Sequence, residues 1–322
     1  MKKTVSLLLC LTLLPGLLSG CGSRPADSDG RLRVVATIFP AYDWLREIIG
    51  DKTDAVELTL LLDNGTDLHS YQPTADDMIR VSTCDLFVYV GGESDEWVED
   101  ALKEAVNPDM VVVNLLDALG DAAKEEEVVE GMQTDEEEDG EEEAEYDEHV
   151  WLSLKNAALF CGVLADALGA LDPANQSTYA ANAAAYTDRL MALDARYTAA
   201  VGEAAVRTVL FGDRFPFRYL TDDYGLAYYA AFVGCSAETE ASFETVAFLA
   251  RKVDELGLHA VLTIESGDGR LARTIVENTA AQSARILQMD SLQSVTAQAL
   301  AEGASYLGAM ESNLEILKQA LQ

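Results

Sequence analysis

The sequence predicts an α/β protein of two similar lobes, each a parallel sheet flanked by helices, joined by one long rigid α-helix. Three observations carry this expectation. From residue 31 to 117, short β-branched runs alternate with amphipathic stretches, the pattern of parallel strands joined by crossover helices. The same alternation returns after residue 205. Between the two lies an Ala-rich stretch, 175–204, with no Pro and no Gly before Gly202.

In the first lobe, 31–172, the apolar β-branched runs place strands at 32–39, 55–62, 85–90 and 110–115, with helices at 42–49, 74–81 and 95–105. The joining segment, 173–204, opens at Asp172-Pro173, where the fixed φ of proline suits a first helical turn. Some 28 helical residues would span about 42 Å, a strut that permits little hinge motion. The second lobe, 205–322, repeats the pattern with strands at 208–211, 227–232, 260–264 and 286–289. Its helices fall at 216–224, 242–256, 270–281 and 295–321. A mature length of about 300 residues is too great for one small core and suits two lobes.

Met1-Lys2-Lys3 followed by the apolar run 5–18 reads as a signal peptide, 1–20, too short to span a bilayer. Leu18-Ser19-Gly20-Cys21 resembles the bacterial lipobox, which implies that Cys21 takes a diacylglycerol and becomes the mature N-terminus. Residues 21–30 then form a flexible tether, and the lipid holds the protein on the extracellular face of the cell membrane, in the periplasm if the source has an outer membrane. No other apolar run is expected to span a bilayer.

The chain has 22 Lys and Arg against 56 Asp and Glu, a formal charge of −34; loss of Lys2 and Lys3 with the signal makes it −36. Nucleic acid and anionic lipid heads repel such a chain, so cations are the natural small partner. Cys84, Cys161 and Cys235 remain beside Cys21, an odd number on an oxidising surface. They are read as buried apolar thiols, with a Cys84–Cys235 bridge as the alternative.

There are three histidines. His69 sits in a loop after a predicted strand, and His149 opens a predicted helix. Between them, residues 125–148 carry 15 carboxylates in 24 positions without one Lys or Arg. Neutral imidazole is a strong ligand for zinc and other late first-row divalent ions, although either histidine alone is more often an ordinary surface residue. His259, between a helix and a strand, reads as a packing or capping residue. The acidic stretch, a flexible loop, either concentrates cations for capture or is a self-repelling solvated segment.

Four segments carry a resemblance: Val35 to Pro40, Gly65 to Pro73 (Gly, three residues, His, Ser, Tyr, Gln, Pro), Cys84 to Tyr89, and Glu148-His149-Val150-Trp151-Leu152. Together with the lipobox they make the chain similar to the zinc and manganese substrate-binding lipoproteins of bacterial ABC importers, the metal-binding cluster A-I group. The resemblance covers essentially the whole mature chain. It implies two lobes joined by a rigid helix, a divalent metal ion held in the cleft between them, and an ABC permease as partner, with the binding protein itself a monomer. It also implies metal ligands at His69, His149 and Glu265, the last just beyond a strand end.

The family's third histidine, which begins a His-Asp-x-aromatic motif, meets Gly212 in Phe211-Gly212-Asp213-Arg214-Phe215. Asp213 is the nearest substitute; a water, Asp290 or Cys235 are the others, and capping the following helix or pairing with Arg214 is the competing role for Asp213. Two imidazoles and a carboxylate suit zinc, with distances of about 2.0 to 2.2 Å, and a second carboxylate would favour manganese. A zinc hydrolase would use similar ligands, but the sequence has no His-Glu-x-x-His, Gly-x-Ser-x-Gly or Gly-x-Gly-x-x-Gly motif, so an enzyme is not expected. A surface adhesin without a metal role is the third reading.

Overall fold

The computed structural model describes residues 30–133, 145–236 and 240–322. The expected signal peptide, Cys21, nearly all of the tether and the centre of the acidic stretch lie outside the described residues.

The first sheet is built from β1 (Leu32–Ala36), β2 (Val56–Leu60), β3 (Leu86–Tyr89) and β4 (Val111–Asn114), all parallel, in the order β2-β1-β3-β4. The second uses β5 (Thr208–Phe215), β6 (Ala227–Val233), β7 (Ala260–Ile264) and β8 (Arg285–Met289), also parallel, in the order β6-β5-β7-β8. The two orders are the same permutation, as the repeated sequence pattern led us to expect. Val34, Val35, Phe87 and Val88 are buried, as are Val261 and Leu262, because a parallel sheet covered on both faces needs nearly continuous apolar strands.

The helices before the middle of the chain are α1 (Phe39–Ile49), α2 (Ala75–Thr83), α3 (Trp97–Lys103), α4 (Leu115–Leu119), α5 (Leu154–Leu171) and α6 (Gln176–Glu203). Those that follow are α7 (Arg218–Tyr224), α8 (Phe243–Leu256), α9 (Arg270–Glu277), α10 (Ala297–Ala301) and α11 (Tyr306–Ala320). α6 has the expected 28 residues, but it begins at Gln176. Asp172 instead closes α5, and its Oδ2 accepts from Asn175 Nδ2 at 2.6 Å and Tyr179 O–H at 2.8 Å across the turn that contains Pro173. Nor is α6 a free strut. Tyr179, Tyr186, Leu190 and Tyr197 are buried, and Tyr197 O–H donates to the Met310 carbonyl of α11 at 2.6 Å.

Two further departures have physical causes. The single helix expected at 295–321 divides into α10 and α11 because Gly303 adopts φ +92°, and Ser305 then caps α11 by accepting from Gly308 N–H. α5, 18 residues long, is apolar enough by length and composition to cross a membrane, where the sequence predicts no spanning segment. Here Leu154, Phe160, Leu164 and Leu168 are buried in a core that continues through Phe211, Leu262 and Leu314 of the second half. A smaller apolar cluster fills the space between β5–β7 and helices α8 and α9.

The halves are stitched at their centre. Trp151 Nε1–H donates to the Ser291 carbonyl at 2.8 Å, Tyr306 O–H to the Trp151 carbonyl at 2.6 Å, and Tyr306 N–H to Asp43 at 2.7 Å. The carboxyl ends of both sheets therefore border one cleft, where ligands of open parallel sheets bind.

Candidate metal centre

His69 and His149 are each presented by the same local device. His69 lies in a one-turn 3-10 helix, Leu68–Ser70, beyond β2, and its backbone N–H donates to Asp67 Oδ1 at 3.1 Å. His149 precedes the 3-10 turn Val150–Leu152, so the helix it was expected to open starts only at Leu154, and its N–H donates to Asp147 Oδ1 at 2.8 Å. Both are Asp-x-His turns, in which a short carboxylate folds back on the chain two residues on.

The two rings meet. Nε2 of His69 and Nε2 of His149 lie 3.1 Å apart, with ring centroids 5.1 Å apart. Their other nitrogens have partners: His149 Nδ1 is 2.9 Å from Asp147 Oδ1, and His69 Nδ1 is 2.8 Å from Ser94 Oγ and 3.5 Å from Glu148 Oε2. An ionised Asp147 can only accept, which places the His149 proton on Nδ1; the same tautomer lets Ser94 accept from His69. With both rings neutral and protonated on Nδ1, two Nε2 lone pairs face each other, an arrangement that a cation between them satisfies. Two nitrogens about 2.1 Å from one ion at the tetrahedral angle stand about 3.4 Å apart, close to the separation found.

Burial and electrostatics reinforce this. His149 is fully buried, and the His69 side chain is 8% exposed. Burial, then the neighbouring His149, pushes His69 down to about 3, so it stays neutral. Burial opposes the His149 cation too, but the carboxylates of Asp147, Glu148 and Glu126 together outweigh it and raise the group above its ordinary value. Burial pushes Glu148 up to about 7; its Oε1 accepts from Ser94 N–H at 2.9 Å, and Oε2 has no hydrogen-bond partner.

Cys235 is the third group to arrive. Its Sγ and one ring nitrogen from each histidine all lie within 4.8 Å of one another, the converging trio among the described residues. It follows β6, and Gly234 makes its approach feasible: a Cβ there would lie 2.9 Å from both His149 Cε1 and the Phe215 carbonyl. No disulfide joins Cys84 to Cys235; Cys84 and Cys161 are buried free thiols, whereas Cys235 is half-buried at the cleft. Burial, then Glu126, pushes its thiol well above the ordinary range.

Asp213 and Glu265, the expected carboxylate ligands, are engaged elsewhere. Asp213 accepts from Arg214 N–H at 2.9 Å and Ile264 N–H at 3.3 Å. Glu265 accepts from Ser291 N–H and Ser291 O–H, both at 2.7 Å, one on each oxygen. Gly212 faces inward, since a Cβ would sit 2.6 Å from Ala272 Cα in α9, so a side chain at this position would meet that helix. His259 is exposed beside α8, away from the pair.

Sequence reasoning missed the partners of the imidazoles, Asp147, Ser94 and Glu148, though the repeated Asp-x-His spacing was there to be read. Arg214, a candidate partner for Asp213, instead pairs through Nη2 with Asp67 at 2.6 Å and donates through Nη1 to the Ser236 carbonyl at 3.3 Å. One guanidinium thus ties the turn of His69 to the loop of Cys235. Although burial opposes it, Arg214 holds the Asp67 carboxyl below its usual range.

Beside His69 opens a cleft of about 1590 Å³ lined by Glu93, Glu96, Asp117, Glu125, Glu127 and Glu145, among other groups. The ends of the acidic stretch are not the loose loop expected. Glu126 N–H donates to the Glu145 carbonyl and Asp147 N–H to that of Lys124, both at 2.8 Å, while Gln133 N–H reaches the Ala231 carbonyl in β6 at 2.9 Å.

Comparison with known proteins identifies relatives that match nearly the whole chain. Residues 34–320 match the model of the ZnuA family, described as zinc-uptake complex component A, periplasmic. The zinc-binding lipoprotein AdcA of Streptococcus pneumoniae is 32% identical over 98% of this chain; the chain spans 61% of that relative's length. The high-affinity zinc uptake system protein ZnuA of Bacillus subtilis is 28% identical over 95% of this chain and 94% of its own. The crystal structure of the Zn(II)-bound ZnuA-like domain of Streptococcus pneumoniae AdcA superposes with a TM-score of 0.70 at 28% identity, covering 91% of this chain and 99% of that one. The metal-dependent lipoprotein YcdH of Bacillus subtilis gives 0.73 at 25% identity, over 91% of this chain and all of that one. From residue 34 to residue 320, then, this chain belongs to the ZnuA zinc-uptake component family.

Proposed function

We propose that this chain captures a free divalent metal ion, zinc, outside the cell and hands it to an ABC permease, binding reversibly and catalysing nothing. The facing Nε2 atoms of His69 and His149, 3.1 Å apart in a buried site, carry the reading. Zinc is favoured over manganese because the converging groups supply nitrogen and sulfur, while manganese takes more oxygen ligands. Glu265 and Asp213 each accept two hydrogen bonds and keep further carboxylate lone pairs with which either could serve as an additional ligand. Lipid on Cys21 would keep the protein on the outer face of the membrane beside its permease, as a monomer.

Zinc at 100 times its dissociation constant should raise unfolding stability by about 2.7 kcal/mol at pH 7.5. Denaturant titration with and without zinc measures this. A midpoint that does not respond would contradict the proposal, and an adhesin with no metal role predicts that result for wild type and for His69→Ala alike.

A further inference from the structure

The second half forms one wall of the cleft, and the strand position on it expected to carry a ligand is blocked. A side chain at residue 212 would run into the backbone of α9. Neighbouring Asp213 is held by two backbone N–H groups. The adjacent parallel strand β6 ends beside β5, and directly beyond it Gly234 lets the chain pass against the His149 ring, which brings Cys235 Sγ into the imidazole pair.

Resting on the zinc reading above, we propose that Cys235 is the second lobe's ligand to the ion, completing a His69–His149–Cys235 set, and that its sulfur sets the preference for zinc over manganese. As the zinc–sulfur bond forms, the thiol gives its proton to solvent, so the site gains one negative charge to offset the dication. Soft thiolate suits zinc and disfavours manganese. The remaining tetrahedral position is open to water or a carboxylate. Arg214, bonded to the Ser236 carbonyl and paired with Asp67, holds this loop against the turn of His69.

X-ray absorption at the zinc edge of the full mature chain loaded with one equivalent of zinc tests this. One sulfur neighbour at about 2.3 Å beside nitrogen at about 2.0 to 2.1 Å is expected. In Cys235→Ser the sulfur neighbour should vanish, and zinc should bind more weakly by at least the roughly 10- to 100-fold that loss of an outer partner costs. Cys235→Asp should narrow the zinc-over-manganese ratio in a competition titration. Bound zinc with nitrogen and oxygen neighbours alone would overturn the proposal and leave the zinc reading intact. A chain that holds no zinc at all would overturn both. The measurement on wild type decides even if a variant fails to fold.

Discussion

The two walls of the cleft use their polar groups in opposite ways. On the first wall, His69 and His149 have their Nδ1 atoms engaged by Ser94 and Asp147, and their Nε2 atoms are turned toward each other. On the second, the carboxylates of Asp213 and Glu265 are taken by Ile264 and Ser291, and the thiol of Cys235 is what reaches the pair. The walls differ in which atoms are left unclaimed once local hydrogen bonds are made, and residue type alone does not reveal that.

The largest effect should come from the first wall. His149→Ala or His69→Ala removes an imidazole whose outer contacts remain, and zinc affinity measured by competition with a chelator should fall by more than roughly 100-fold, beyond the usual effect of losing an outer partner. A smaller loss for either would place the ion elsewhere.

Asp147→Asn should come next, with a loss of about 10- to 100-fold, since the amide no longer fixes the Nδ1 proton as firmly. It should also alter the pH profile. Asp147 raises His149, so in wild type protons begin to compete with zinc at or above the ordinary imidazole range of about 6.5, and affinity should weaken as pH falls from 7.5 to 5.5. Removing that carboxylate lowers His149, so the decline should begin at lower pH in the variant. His69, held at about 3, contributes nothing to this window. Isothermal titrations across the pH range would show whether the two profiles separate in this direction.

Legibility in the sequence followed the same division. Strand positions were readable because buried parallel strands demand Val and Ile runs such as Val34-Val35 and Val261-Leu262. The histidines were readable as rare residues flanking an acidic stretch, and the family resemblance paired them. The partners of Asp213 and Glu265 were not readable, because Ile264 and Ser291 come from neighbouring strand ends that only the folded sheet brings together. The break before α11 was hidden because a lone glycine such as Gly303 can be tolerated inside a helical pattern as well as end one.

Arg214→Ala should cost less affinity than Asp147→Asn but more stability, because it leaves half-buried Asp67 without its charge partner; breaking a fully buried pair typically costs about 3 to 5 kcal/mol, and this part-buried one should cost less. Denaturant unfolding of the zinc-free variant measures it, and a loss below about 1 kcal/mol would mean the tie across the cleft is not tight. The smallest effect on zinc should come from Glu265→Gln, under about tenfold, since its oxygens already serve Ser291. A larger loss would mean that the second wall rearranges when metal enters.

The central claim is that one ion sits between the imidazoles of residues 69 and 149. Anomalous scattering at the zinc edge from crystals of the loaded protein should place a single peak about 2.1 Å from both Nε2 atoms. A zinc peak in the acidic cleft, with the two rings still in direct contact, would contradict it.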